Sequence, residues 1–108
     1  MRRYQKLSDY VWEDAWVLLA VKYAQGKNNS ASKADVIKAG DFINHAIFLE
    51  QELEHAIRLL SHASLLQVNG NIFILGSSFP NFWEKSGAGK HRSVHKQLEK
   101  ITNALHSL

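Results

Sequence analysis

The sequence predicts a mainly helical α+β fold in which three helices lead into a short β-hairpin and a further helix closes the chain. Three observations carry this. Between residues 50 and 75 the apolar spacing switches from helical to strand periodicity around Ala63. Asn69-Gly70 lies between the β-prone runs Leu65 to Val68 and Ile72 to Leu75. Asn-Gly is the strongest short hairpin signal, because both central residues of a type I′ turn need positive φ. Two more helical stretches precede the switch, and one amphipathic stretch follows the hairpin.

Taken in order, Ser8 or Asp9 can cap a first helix that runs to about Gln25, with Gly26 at the position favouring left-handed φ. Trp12, Trp16, Leu19, Ala20 and Tyr23 share one face, widened by Val11, Ala15 and Leu18, so this helix should supply most of the core. Lys27 to Ser30 reads as a polar loop. Ser32 and Asp35 then resemble a capping box for a second helix from about Lys33 to Ala46. Its apolar set is Val36, Ile37, Ala39, Ile43 and Ala46, and Gly40 permits close approach of another helix. The third helix, about Leu49 to Ala63, lacks a good N-cap, for which its early glutamates compensate through the helix dipole. Gly76 to Asn81, with the single Pro80, reads as a turn, and Ser86-Gly87-Ala88-Gly89 as a flexible linker. A last helix from near Lys90 carries Val94, Leu98, Ile101, Leu105 and Leu108 in a narrow seam of coiled-coil type.

At 108 residues the chain supports one modest core, and 45% hydrophobic with 21% charged residues is ordinary for a globular protein. Its longest strongly apolar run, Trp16 to Val21, is too short to span a bilayer, and Ser8-Asp9 interrupts any signal-peptide pattern. The absence of cysteine excludes disulfides and thiolate sites, which together with the missing signal favours a cytoplasmic location. A net charge of +3 hides an asymmetry. Residues 1 to 8 carry +3, residues 9 to 68 carry five cations against eight anions, and residues 69 to 108 carry five cations against Glu84 and Glu99. Polyanion contacts are therefore expected at the ends.

Glu52-Leu53, Ala56-Ile57, Leu60 and Leu65-Leu66 look like a third helix running into a first wing strand, so that residues 9–76 resemble the winged helix-turn-helix. Ala39-Gly40-Asp41-Phe42-Ile43-Asn44-His45-Ala46-Ile47 is similar to a segment of small uncharacterised bacterial proteins of this type, a likeness that brings no known activity. Ser64 stands where winged helices usually place glycine. The implied organisation is a basic tail over 1–8, a winged-helix-like domain over 9–76, and a linker with a C-terminal amphipathic helix over 77–108. The resemblance implies that the third helix enters the major groove of DNA while the wing touches the backbone. On this chain its outward face would show Gln51, Glu54, His55 and Arg58, with Glu50 and Glu52 near its start, a poor face for phosphates. The wing tip Asn69-Gly70-Asn71 has no cation.

Chemical motifs are few. Gly87-Ala88-Gly89-Lys90 lacks the glycine and hydroxyl residue of a phosphate loop, because Glu84 and His91 occupy those places. His91 and His95 have metal-ligand spacing but no apparent third ligand, and Glu52-x-x-His55 is half of a di-iron motif without its second copy. Asp41, Asn44 and His45 read as a hydrogen-bonded helix end. No catalytic residue, cofactor or metal is expected, and neither is membrane binding. Two function classes weigh equally: a DNA-binding transcriptional regulator and a protein-interaction or assembly module. Candidate contacts to double-stranded DNA are Arg2, Arg3, Lys33, Lys38, Arg58, Lys90, Arg92 and Lys96. Phe82, Trp83, Val94, Leu98, Ile101 and Leu105 are the candidate interface of a homodimer or with another protein partner, against the alternatives that Phe79, Phe82 and Trp83 cap the core and that the last helix folds back on Trp12 and Trp16 of its own chain.

Overall fold

The computed structural model describes residues 10–26 and 29–108. Arg2, Arg3, Lys6 and the expected caps Ser8 and Asp9 lie outside the described residues. Among those described, five α-helices and one three-stranded antiparallel sheet follow the order α1 (Trp12–Ala24), β1 (Ser30–Ser32), α2 (Lys33–Asn44), α3 (Glu50–His62), β2 (Leu66–Asn69), β3 (Ile72–Leu75), α4 (Phe79–Ser86) and α5 (Val94–His106). The sheet order is β1-β3-β2. The fold is α+β and mostly helical, a layout compatible with a winged helix-turn-helix.

The core is organised around α1. Every residue from Asp14 to Val21 is buried, so this helix is enclosed on all sides by α2, α3, α5 and the sheet, where a single apolar face was expected. Trp12 and Tyr23 sit at its exposed margins. Val11 precedes the helix, and its backbone N–H donates to Asp14 Oδ2 at 2.9 Å. At the other end Gln25 is extended and Gly26 does not take left-handed φ. The Ser32 cap of α2 is as expected, its hydroxyl accepting from Asp35 N–H at 3.1 Å. That helix stops earlier than predicted because His45 turns left-handed, φ 54°, with its N–H on the Asp41 carbonyl. Gly40 faces the Phe48 ring of the α2–α3 turn, with which a Cβ there would collide, and its carbonyl accepts from Trp16 Nε1 of α1 at 2.9 Å.

The two-residue turn of the hairpin is Gly70-Asn71, one position later than the Asn69-Gly70 predicted, since Asn69 pairs with Ile72. Of the pair only Gly70 has positive φ, 60°, which is the requirement of a type II′ turn. Ser64 adopts φ 60°, so the exit from α3 does demand the left-handed conformation that glycine would supply more cheaply. Gly76 then passes so close to the Ser64 backbone that no side chain fits between them.

The greatest departures lie after residue 76. The expected turn and linker are α4 and a 3-10 turn over Ala88–Lys90. Pro80 is tolerated because it occupies the first helical turn, where its missing N–H has no intrahelical acceptor. Gly87, φ 80°, ends α4, and the Ser86 hydroxyl donates to the Trp83 carbonyl while accepting from Ala88 N–H. Helix α5 starts at Val94, capped by Ser93, and not at Lys90. Leu98, Ile101 and Leu105 are buried against the chain's own core together with Phe82, and α5 packs on α1 and α4. The seam expected to join two copies is therefore used within one chain, and residues 77–108 share the core of the rest.

Replacing both Leu98 and Leu105 with Asp should consequently abolish folding, because each change puts a charge into a filled site at a cost of several kcal/mol. Loss of helical circular dichroism is the expected readout, and a folded variant of lower mass would contradict it.

Candidate nucleic-acid and partner interface

The surface that the α2–turn–α3 unit presents is set by how α3 starts. Leu49 offers no capping side chain, so Glu52 reaches back and its Oε1 accepts the Leu49 N–H at 2.8 Å. The compensation expected from the dipole is thus also a hydrogen bond. Leu53, Ala56 and Leu60 bury one face of the helix, and Glu50, Gln51, Glu54, Arg58, Ser61 and His62 are exposed. His55 does not belong to that outward set. Its ring is half-buried, with Nδ1 2.8 Å from Oδ1 of the fully buried Asp14.

Asp14 therefore serves two elements. One carboxylate oxygen accepts from Val11 N–H and holds the start of α1, and the other binds His55 and ties α3 to α1. A carboxylate can only accept, which places the proton of His55 on Nδ1. Nothing in the sequence spacing paired these residues, which stand 41 positions apart. An acid at the third position of a helix that lacks a capping side chain was the available signal for the first half of this arrangement.

The predicted phosphate contacts do not converge. Lys33 is engaged by Glu50, Nζ to Oε2 3.5 Å, and its backbone N–H binds the β2–β3 hairpin through the Asn71 carbonyl at 2.8 Å. Lys38 is exposed on α2 and Arg58 on α3. Lys90, Arg92 and Lys96 are exposed around the start of α5, and Lys96 lies 3.5 Å from Glu99. Arg2 and Arg3 fall outside the described residues.

Of the predicted interface, Phe82, Leu98, Ile101 and Leu105 are core, while Val94 and Trp83 are half-buried. The Trp83 ring stacks on Phe79 at 5.8 Å, and Lys22 Nζ lies 4.7 Å from its centroid. The exposed large apolar residues include three that sequence reasoning had not singled out as surface: Phe42 at 66%, Ile47 at 68% and Leu49 at 56%. Among the described residues no three histidine, aspartate or glutamate side chains group as metal ligands, and no helix is long and apolar enough to cross a membrane. His45 fits the helix-end reading of Asp41, Asn44 and His45 through its backbone bond to Asp41.

The chain matches no protein-family model, no curated protein and no solved structure.

Removing the shared carboxylate should be costly. Asp14→Ala leaves the Val11 N–H without its acceptor and His55 without its partner, and is expected to lower stability by about 2–4 kcal/mol. Urea unfolding of Asp14→Ala, His55→Ala and the double variant checks this. The two single losses should add to clearly more than the double loss, since the two residues share one contact.

Proposed function

We propose that the chain is a non-catalytic interaction module on a winged helix-turn-helix scaffold, engaging a protein partner through the corner between α2 and α3 instead of reading DNA bases with α3. The scaffold reading is supported by the order α1-β1-α2-α3-β2-β3 with a sheet ordered β1-β3-β2, in which a helix-turn-helix pair is followed by a hairpin wing. The observation that carries the functional reading is the character of the α3 face. Glu50, Gln51 and Glu54 occupy the amino half of the exposed face, and Arg58 is the sole Lys or Arg of this helix. A recognition helix approaches base edges with its amino end, where these carboxylates would repel phosphates. Exposed Ile47 and Leu49 next to them are suited to a protein surface.

The test is duplex DNA affinity of Glu54→Lys and Arg58→Ala beside the parent chain. Arg58→Ala should change affinity by less than about twofold on any sequence. A loss greater than about tenfold that varies with base sequence would show direct readout and overturn the proposal.

A DNA-binding regulator is the second reading, favoured by the exposed Lys90, Arg92 and Lys96 around the start of α5. Any duplex affinity should then come from these residues with Arg2 and Arg3, as phosphate contacts without sequence preference. Replacing all five by Gln should reduce the slope of log affinity against log salt by up to about 4. An unchanged slope would exclude these residues as the source.

A further inference from the structure

We infer that the outer edge of β2 is a strand-addition site for an uncharged extended segment of another protein with alternating apolar and polar residues, separate from the α2–α3 corner and independent of what binds there. The strand order β1-β3-β2 leaves two outer edges. The β1 edge is met by its own chain, since Gly26 N–H donates to the Ser30 carbonyl at 3.0 Å and α2 starts directly after Ser32. The β2 edge is open. Asn69 pairs with Ile72 across the two-residue turn, and Gly76 N–H donates to the Leu65 carbonyl at 2.9 Å. Backbone groups of Leu65, Gln67 and Asn69 therefore face β3, and those of Leu66 and Val68 face away from it. Among the described residues nothing hydrogen-bonds to the outward N–H and carbonyl of Leu66 or of Val68. Two donors and two acceptors stand in a row, and extended backbone is the partner whose own groups repeat at that spacing.

The same edge lacks what usually keeps exposed strands apart. Residues 63–83 contain no Lys, Arg, His, Asp or Glu, in a chain with 21% charged residues. The β2–β3 register runs from Leu66↔Leu75 to Asn69↔Ile72 without a bulge, so β2 has neither charge, proline nor bulge to guard it. A groove of about 450 Å³ accompanies the strand, lined by Leu66, Gln67 and Val68 with Ser61 and Ser64 at the end of α3 and closed by Gly76 and Ser77. No charged side chain lines it, and Arg58 and His62 of α3 border a separate hollow with Ile57 and Ser61. Backbone hydrogen bonds, not ion pairs, thus select the occupant. Leu66 is buried, Gln67 exposed and Val68 half-buried, so residues added opposite Leu66 and Val68 extend the apolar side while the one opposite Gln67 faces water. A second copy of the chain is the poorer occupant, because β2 offers four residues against about 20–30 a side in a stable interface. A short extended segment needs no more than this edge and its groove.

The experiment titrates the full chain with an end-blocked heptapeptide alternating valine and threonine, while backbone amide resonances and their hydrogen exchange are followed. A twin peptide with the same side chains is N-methylated at every amide and cannot donate. In the free chain the Leu66 and Val68 amides should exchange at least about tenfold faster than those of Gln67 and Asn69. The peptide should slow both and shift resonances from Ser64 to Asn69, and the twin should bind at least about tenfold more weakly. Val68→Pro removes one outward N–H without touching a bond to β3, and should weaken binding several-fold with helical circular dichroism retained. If that variant unfolds, the comparison with the twin decides alone. Absence of peptide binding at β2, or equal binding by the twin, overturns the inference. Slow exchange of both amides in the dilute free chain overturns it as well, since the edge would then be closed. Exchange at Leu66 and Val68 that slows with chain concentration, without peptide, overturns the foreign partner in favour of a second copy's β2.

Discussion

The fold depends on one constraint: α1 is buried on every side over the run from Asp14 to Val21, and a helix in that position needs neighbours all round. Helices α2 and α3 cover part of it, the sheet closes a second side through Ala31 and Phe73, and α5 supplies Leu98, Ile101 and Leu105 for the remainder. The run also carries a carboxylate, which cannot remain in such a place without partners. Asp14 has two, Val11 N–H and His55, so the same residue that satisfies the start of α1 fixes the rotation of α3 against it. The orientation of the exposed α3 face is therefore a consequence of how the core solves a polar problem.

Enclosure of α1 also decides what surface is left for function. Because α5 completes the core, its apolar seam is not free for a twin subunit, and the elements that lead into it are ordered. Ala88 is buried, Gly89 lies against the Trp83 indole, and the Gln97 amide donates to the His91 carbonyl at 2.7 Å while its carbonyl oxygen accepts from the Tyr23 hydroxyl. What remains exposed is divided by charge. The α2–α3 corner is acidic and apolar, and the start of α5 is basic. These two surfaces favour different kinds of partner.

Legibility in the sequence followed the range of the interactions involved. Ser32 with Asp35, the amphipathic face of α3 and the hairpin could be read because each rests on residues a few positions apart. Strand β1 could not, since Ser30-Ala31-Ser32 has no strand pattern of its own and exists by pairing with Ile72 to Ile74. Helix α4 was hidden by Pro80, read as a breaker when it sits in a first turn. The acidic character of α3 was visible, but the removal of His55 from its outward face depends on Asp14, far away in the chain. Likewise Ile47-Phe48-Leu49 is uniformly apolar in sequence, and only the pocket made by Gly40 and Trp16 selects Phe48 as the one that turns inward.

That selection links stability to the proposed function. Glycine inside a helix costs roughly 0.5–1 kcal/mol relative to alanine, and Gly40 sits near the middle of α2. What the missing Cβ makes room for is the Phe48 ring, and the Phe48 ring holds the turn from which Ile47 and Leu49 project. A packing element alone would be served by an apolar turn that hides all three residues. Here α2 carries a helix-weakening residue, the core gains one aromatic ring, and its two apolar neighbours remain in solvent beside carboxylates. Exposed apolar area held by a buried anchor is pre-organised, so that little conformational freedom is left to lose when a partner covers it.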